Sequence, residues 1–330
     1  MARKYIRFNY FEVQLVDAAQ HVRAEIDEDY EVYAAENWDM EQFINYLDAH
    51  KEHFNTNVSI GDEYSEIEKD AYIFDQTRRL YHFQLSKLRE TNIPSKKKMG
   101  EIKESILLDQ DEYIGEFNSI VYDISLGALI MQSNFYGLTV KQVELVLTEL
   151  RFRYLNQIGR NEENPLIVKL APLIDRAKIQ RVLDADYYKK IRIKGSDFML
   201  DAALGEDNLL CEARDMLLEA SGVNIDITIS LGRSERTASL NNDAIRGALA
   251  PFVGLNPGDR VPQVEVTALY NEESEVETIN LIEPRMTDRV PVDVEPRSTV
   301  GHEYLFQSFL EMYNDRRGDV RRVMIPILGE

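Results

Sequence analysis

The residues whose type and spacing could do chemistry are cations. In a chain of 330 residues with formal net charge −20, they are grouped rather than dispersed. Lys96, Lys97 and Lys98 are consecutive, Lys189 and Lys190 open a run with Arg192 and Lys194, Arg233 lies near Arg236, and Arg316, Arg317, Arg321 and Arg322 close the set. If the run KKIRIKG is extended, Lys190, Arg192 and Lys194 share one face and Ile191 and Ile193 the other. Alternate positions on a strand are ~6–7 Å apart, roughly the repeat of phosphates along one nucleic-acid strand. The stretch from Gly232 to Thr237 adds hydroxyls and guanidiniums suited to phosphate oxygens. Lys190, Arg192, Lys194, Arg233 and Arg236 are therefore the expected nucleic-acid contacts. The competing expectation is that these cations are solvated faces balancing nearby acids.

Other chemistries find less support. Neither G-x-x-x-x-G-K-[ST] nor G-x-G-x-x-G occurs, which argues against P-loop and Rossmann phosphate binding. His50 and His53 are one helical turn apart but lack a second ligand pair, so solvated helix-end histidines are expected, not zinc. Cys211 falls beside Leu210 in an apolar stripe and is expected to be a small buried hydrophobe. A Mg²⁺ nuclease needs an acid followed by acid-x-Lys on a neighbouring strand. Glu66, Glu68, Lys69 and Asp70 are in the wrong order, and no lysine follows Glu265. No cofactor, metal site or catalytic residue is assigned.

Residues 1–160 hold 18 basic and 28 acidic side chains and the remainder 20 and 30, so neither half is basic. The overall field repels polyanions at long range. The single cysteine forms no internal disulfide. Arg7, Asn9 and Glu12 interrupt the N-terminal apolar residues, no signal-peptide core is read there, and no window resembles a membrane span. The expected location is the cytoplasm.

The elements that must position these residues are clearest from Asp111 to Ile158. Two runs rich in β-branched and aromatic residues flank a turn at Asp123–Gly127, and Gly137 then breaks the chain. Thr139 and Gln142 fit a capping box, and Val143, Leu147, Leu150 and Tyr154 form an apolar helical stripe. Before this unit the pattern predicts a strand over 5–17, a helix from about 39 to 53, and paired strands over 65–74 and 81–88. Beyond it, GRNEENP at 159–165 reads as a domain boundary. Helices are predicted from Asp175 to Leu183, from Asp207 to Ala220, from Asn241 to Phe252 and from His302 to Asn314. A strand is predicted over 224–231, a hairpin over 264–282, an extended proline-containing connection over 284–299, and a last strand over 323–328.

The run D-x-D-E-Y-I-G-E-x-x-S-x-x-Y-D, followed by L-I-M-Q-S-N and an L-T helix ending near Tyr154, resembles a bacterial family of about 300 residues found on prophages and other mobile elements. Gly115, Tyr122, Asp123, Gln132, Asn134 and Gly137 carry the match. The layout is also similar, distantly, to the phage-exclusion protein RexA and the Kiwa defence protein KwaB. The resemblance implies an anti-phage or mobile-element role, with DNA contact and a separate, often membrane-bound partner. It supplies no catalytic residues.

The expected architecture is thus α+β, with mixed, largely antiparallel sheets and packed helices in two halves, 1–160 and 161–330. The expected function is non-enzymatic nucleic-acid binding in phage defence or mobile-element biology. Two alternatives remain open: a protein–protein interaction module, as a homo-oligomer or an acidic nucleic-acid mimic, and a divergent Mg²⁺ nuclease.

Overall fold

A computed structural model describes residues 2–26, 36–160, 162–174, 176–196, 209–222, 224–250, 252, 263–270, 277–280 and 286–325. It is an α+β protein whose described residues contain seven helices and whose paired strands are antiparallel. The chain divides into two units, one formed by 1–172 and 287–330 and the other by 173–286.

Strand β1 (Ala2–Asp17) organises the first unit. It pairs with β10 (Ala128–Gln132) at Phe8–Glu12, with β11 (Leu166–Pro172) at Phe11–Asp17 and with β16 (Thr287–Val294) at Ala2–Asn9. Phe8 is bonded in register to both β10 and β16, and Glu12 to both β10 and β11. β16 and β11 therefore follow one another along the same edge of β1, with β10 on the opposite edge. The sheet continues as β10, β9 (Ile114–Asp123), β6 (Leu80–Arg89), β4 (Tyr64–Ile67) and β3 (Val58–Ser59), and has ten strands in all.

Both faces of its centre are covered. On one, Phe11, Phe83, Ile120, Tyr122 and Leu129 pack with α2 (Glu41–Ala49) and α3 (Val140–Gln157). On the other, Phe8 meets Phe309 and Tyr10 meets Tyr313, both from α7 (His302–Met324). Two-sided burial explains why β9 and β10 read as near-continuous apolar runs. The turn between them has Gly127 at φ +67°, and the Thr139–Gln142 capping box forms as predicted. Asp123 ends β9 fully buried. It accepts hydrogen bonds from Tyr313 Oη (2.9 Å) and from Arg317 Nε and Nη2 (2.8 and 3.0 Å), which pins α7 to the sheet.

Several expectations are corrected. The division is not at 160/161: residues 166–172 are β11, bonded to β1, and residues 287–325 return to the first unit. The connection over 284–299 contains β16, because among the described residues β16 pairs with β1 alone and an edge strand tolerates Pro291. The predicted strand over 65–74 is two short strands, β4 and β5 (Ile73–Asp75), both paired with β6. The helix from His302 runs on to Met324, so 323–325 are not a strand, and 326–330 lie outside the described residues. The second half of the expected 264–282 hairpin is described only at β15 (Glu277–Asn280).

The second unit is a four-stranded antiparallel sheet in the order β13 (Asn224–Ser230), β12 (Tyr187–Ser196), β14 (Gln263–Leu269), β15. Helices α4 (Arg176–Leu183), α5 (Leu209–Glu219) and α6 (Asn242–Leu249) cover one face, where Ile191, Ile193, Val264 and Val266 pack against Val182, Leu210, Ala213 and Ile245. Cys211 on α5 is half-buried, not buried as expected, because Leu210, Ala213 and Leu217 supply the inward face.

Candidate nucleic-acid interface

Alternation in β12 sends Ile191 and Ile193 into the helix layer, so Lys190, Arg192 and Lys194 must project from the opposite sheet face. No helix of the second unit lies in that layer among the described residues. Register adds the neighbours. Lys190 stands opposite Ser230 and Thr267, Arg192 opposite Thr228 and Glu265, and Lys194 opposite Asp226. The face is polar throughout and carries two carboxylates among its three cations.

Those carboxylates engage the cations. Lys190 Nζ lies 2.8 Å from Glu265 Oε1, and Arg192 Nε donates to Asp226 Oδ1 at 2.7 Å. Arg192 holds the Asp226 carboxyl below the usual carboxylate range, and Lys194 adds to that pull through its charge. Lys194 is exposed. The sequence reading did not name Asp226, and it weighed Glu265 only as a metal-binding acid. Alternation in NIDITIS and in QVEVT puts each on one face of its own strand. Only the strand order β13-β12-β14 puts both on the face of Arg192.

Arg233 and Arg236 sit on a loop held to the start of β12. A register shift between Tyr188 and Lys190 leaves Lys189 as a bulge residue. Its carbonyl accepts from Leu231 N (3.1 Å), the Tyr188 carbonyl accepts from Leu240 N (2.8 Å), and Tyr188 N donates to Ser239 Oγ (2.8 Å). The Lys189 ammonium donates to the carbonyls of Glu235, Arg236 and Ala238. Gly232 takes φ +64° at the loop's entry, a conformation that favours glycine. The loop is thus fixed next to the Lys190 end of the strand, with Arg233 and Arg236 exposed. All five predicted residues belong to one unit, three on the open face and two on this loop.

The remaining cation groups are elsewhere. Arg317 is tied to Asp123, and Arg316 to Asp288 and Asp319. Lys96 lies in a two-stranded ribbon with Glu104 opposite. His50 Nδ1 faces the Tyr46 carbonyl at 2.8 Å. Among the described residues no helix is long and apolar enough to cross a membrane.

The chain belongs to a family of unknown function, DUF6731, whose model matches residues 1–321. A comparison with curated proteins finds no match. The family's description states no activity, and nothing in the match links the chain to RexA or KwaB.

Proposed function

From that family membership, which names no activity, we propose that the protein is a non-enzymatic, cytoplasmic nucleic-acid-binding protein, and that the open face of its second unit receives the phosphates of one strand. The observation that carries this reading is the placement of Lys190, Arg192 and Lys194 on one face that no helix covers among the described residues, with the Arg233–Arg236 loop fixed at its end. The Arg192–Asp226 pair is exposed at 44% and 39%, and water screens both charges of an exposed pair, so it contributes little. A phosphate can therefore replace a carboxylate at little cost, while release of condensed counterions drives association. Asp226 and Glu265 hold the cations in a fixed spacing until then. The expected biological setting is phage defence or a mobile element, testable by phage plating on cells with and without the gene.

The test is a titration of labelled single-stranded DNA and RNA against the wild type and a Lys190→Glu, Arg192→Glu, Lys194→Glu variant. Binding by the wild type at low salt and a loss of tenfold or more in the variant is the expected result. Equal affinities would remove the face from the account.

One observation favours a second reading. Two of the three cations are already neutralised, which suits a protein partner that needs a mixed-charge surface, including a second copy of this chain. Absence of any shift at low salt, together with a sedimentation value above that of the monomer, would select it.

A further inference from the structure

The N-terminal half of β1 presents a second surface that the sequence reading passed over. Its odd-numbered residues lie on the sheet face covered by α2 and α3 from Phe11 onward, but that cover stops short of Arg3, Tyr5 and Arg7, which are exposed. Across to β16, Arg7 stands opposite Arg289, Tyr5 opposite Pro291, and Arg3 opposite Asp293. Like charges directly opposite on a sheet are destabilising. Yet none of Arg3, Arg7 and Arg289 makes an ion pair with a carboxylate among the described residues, in a chain with 58 acidic side chains. Arg7 Nε donates only to Asn9.

Beside Arg7 the chain displays two more aromatics. Ser133 N donates to the Arg7 carbonyl at 2.8 Å, and the loop that follows carries Phe135, 93% exposed, and Tyr136, 60% exposed, packed edge-to-face at 5.1 Å. Tyr5 is 63% exposed. The loop backbone is fixed rather than slack. Asn134 Nδ2 donates to the Phe117 carbonyl, its Oδ1 accepts from Tyr136 N, and the buried Asn118 accepts from Leu138 N at 2.6 Å. Gly137 has no room for a Cβ, since the Asn118 carboxamide lies against it. Isolated exposed apolar residues need no explanation. Two aromatics on a backbone fixed this tightly, next to unpaired guanidiniums on a strongly acidic protein, call for one.

We infer that this surface is a stacking platform for a single nucleic-acid strand, with Phe135, Tyr136 and Tyr5 taking base faces and Arg3, Arg7 and Arg289 taking phosphates. Aromatic faces accept any base, and unpaired bases are available only in single strands. The positive patch is complementary to phosphate. This inference rests on the reading that the protein binds nucleic acid, but it uses a different unit and a different force.

The experiment compares a labelled oligothymidylate with an abasic strand of the same length. The full chain is used as wild type, as Phe135→Ala with Tyr136→Ala, as Arg7→Glu with Arg289→Glu, and as the Lys190, Arg192, Lys194 charge-reversal variant. The wild type is expected to prefer thymidylate by tenfold or more, as one lost stack costs. The loop double variant should lose that preference and keep its affinity for the abasic strand. The Arg7/Arg289 variant should weaken both ligands, and the second-unit variant should weaken both while keeping the preference. Equal wild-type binding of the two strands, or a preference that survives the loop variant, overturns the platform and leaves the second-unit face standing. Binding of neither strand at low salt overturns both. The altered side chains are exposed, apart from the half-buried Lys190, so unchanged circular dichroism is expected and serves as the folding control.

Discussion

His82 is a titratable side chain sealed inside the first unit. It is 1% exposed, neither ring nitrogen has a hydrogen-bond partner, and its ring stacks on Phe306 at 4.7 Å with His302 at 6.2 Å. Its in-register neighbours, Ile73 and Val121, are apolar, so His302 is the titratable group that faces it. Burial, and then the His302 charge, pushes its pKa down to about 3. The unfolded chain, with an ordinary histidine pKa near 6.5, binds the proton first. Stability is therefore full above that value, falls as pH drops through the window from 6.5 to 3, and is lower by about 2 kcal/mol at pH 5. Urea midpoints at pH 7 and 5 should show the fall in the wild type and much less of it in His82→Phe. Asp123 is the complementary case. Asp123→Ala strands Tyr313 and Arg317 and should cost about 3–5 kcal/mol, read by the same denaturation. Neither role was legible beforehand. Asp123 reads as a turn residue because its partners are 190 and 194 positions away.

At the scale of elements, local signals were readable wherever the determinants are local. The strand–turn–strand–helix unit emerged because the turn glycine, the capping box and the apolar period lie within a few residues of what they control. Thr139→Ala should cost about 1 kcal/mol by opening the cap of α3. Asn118→Ala should cost about 1–3 kcal/mol, since it orphans the buried Leu138 N–H. Differential scanning of the two variants gives the order. Elements that depend on distant pairing were misread. β16 looks like a connection because Pro291 is a strand breaker in general, and only its place at an edge of β1 permits it. The candidate faces divide the same way. Alternation alone put Lys190, Arg192 and Lys194 together. The carboxylates that answer them, and the Arg7–Arg289 opposition, exist only through strand order.

For the whole molecule, the second unit is a sequence insertion between β11 and β16. Its own ends are bonded to each other, Met286 N donating to the Leu173 carbonyl at 2.7 Å. With closed ends and its own hydrophobic cluster, the excised piece 173–286 should fold alone, and the first unit should fold when a short Gly/Ser linker replaces it. Cooperative thermal unfolding of both pieces would establish this. The net charge of −20 means that any strand-binding must come from local fields. The most direct check is the salt dependence of oligonucleotide affinity. If Lys190, Arg192 and Lys194 each neutralise a phosphate, log K against log salt should steepen by about −2 relative to the charge-reversal variant, at roughly 0.7 per contact for single strands. Identical slopes for the two proteins, or no binding at low salt, would contradict the account.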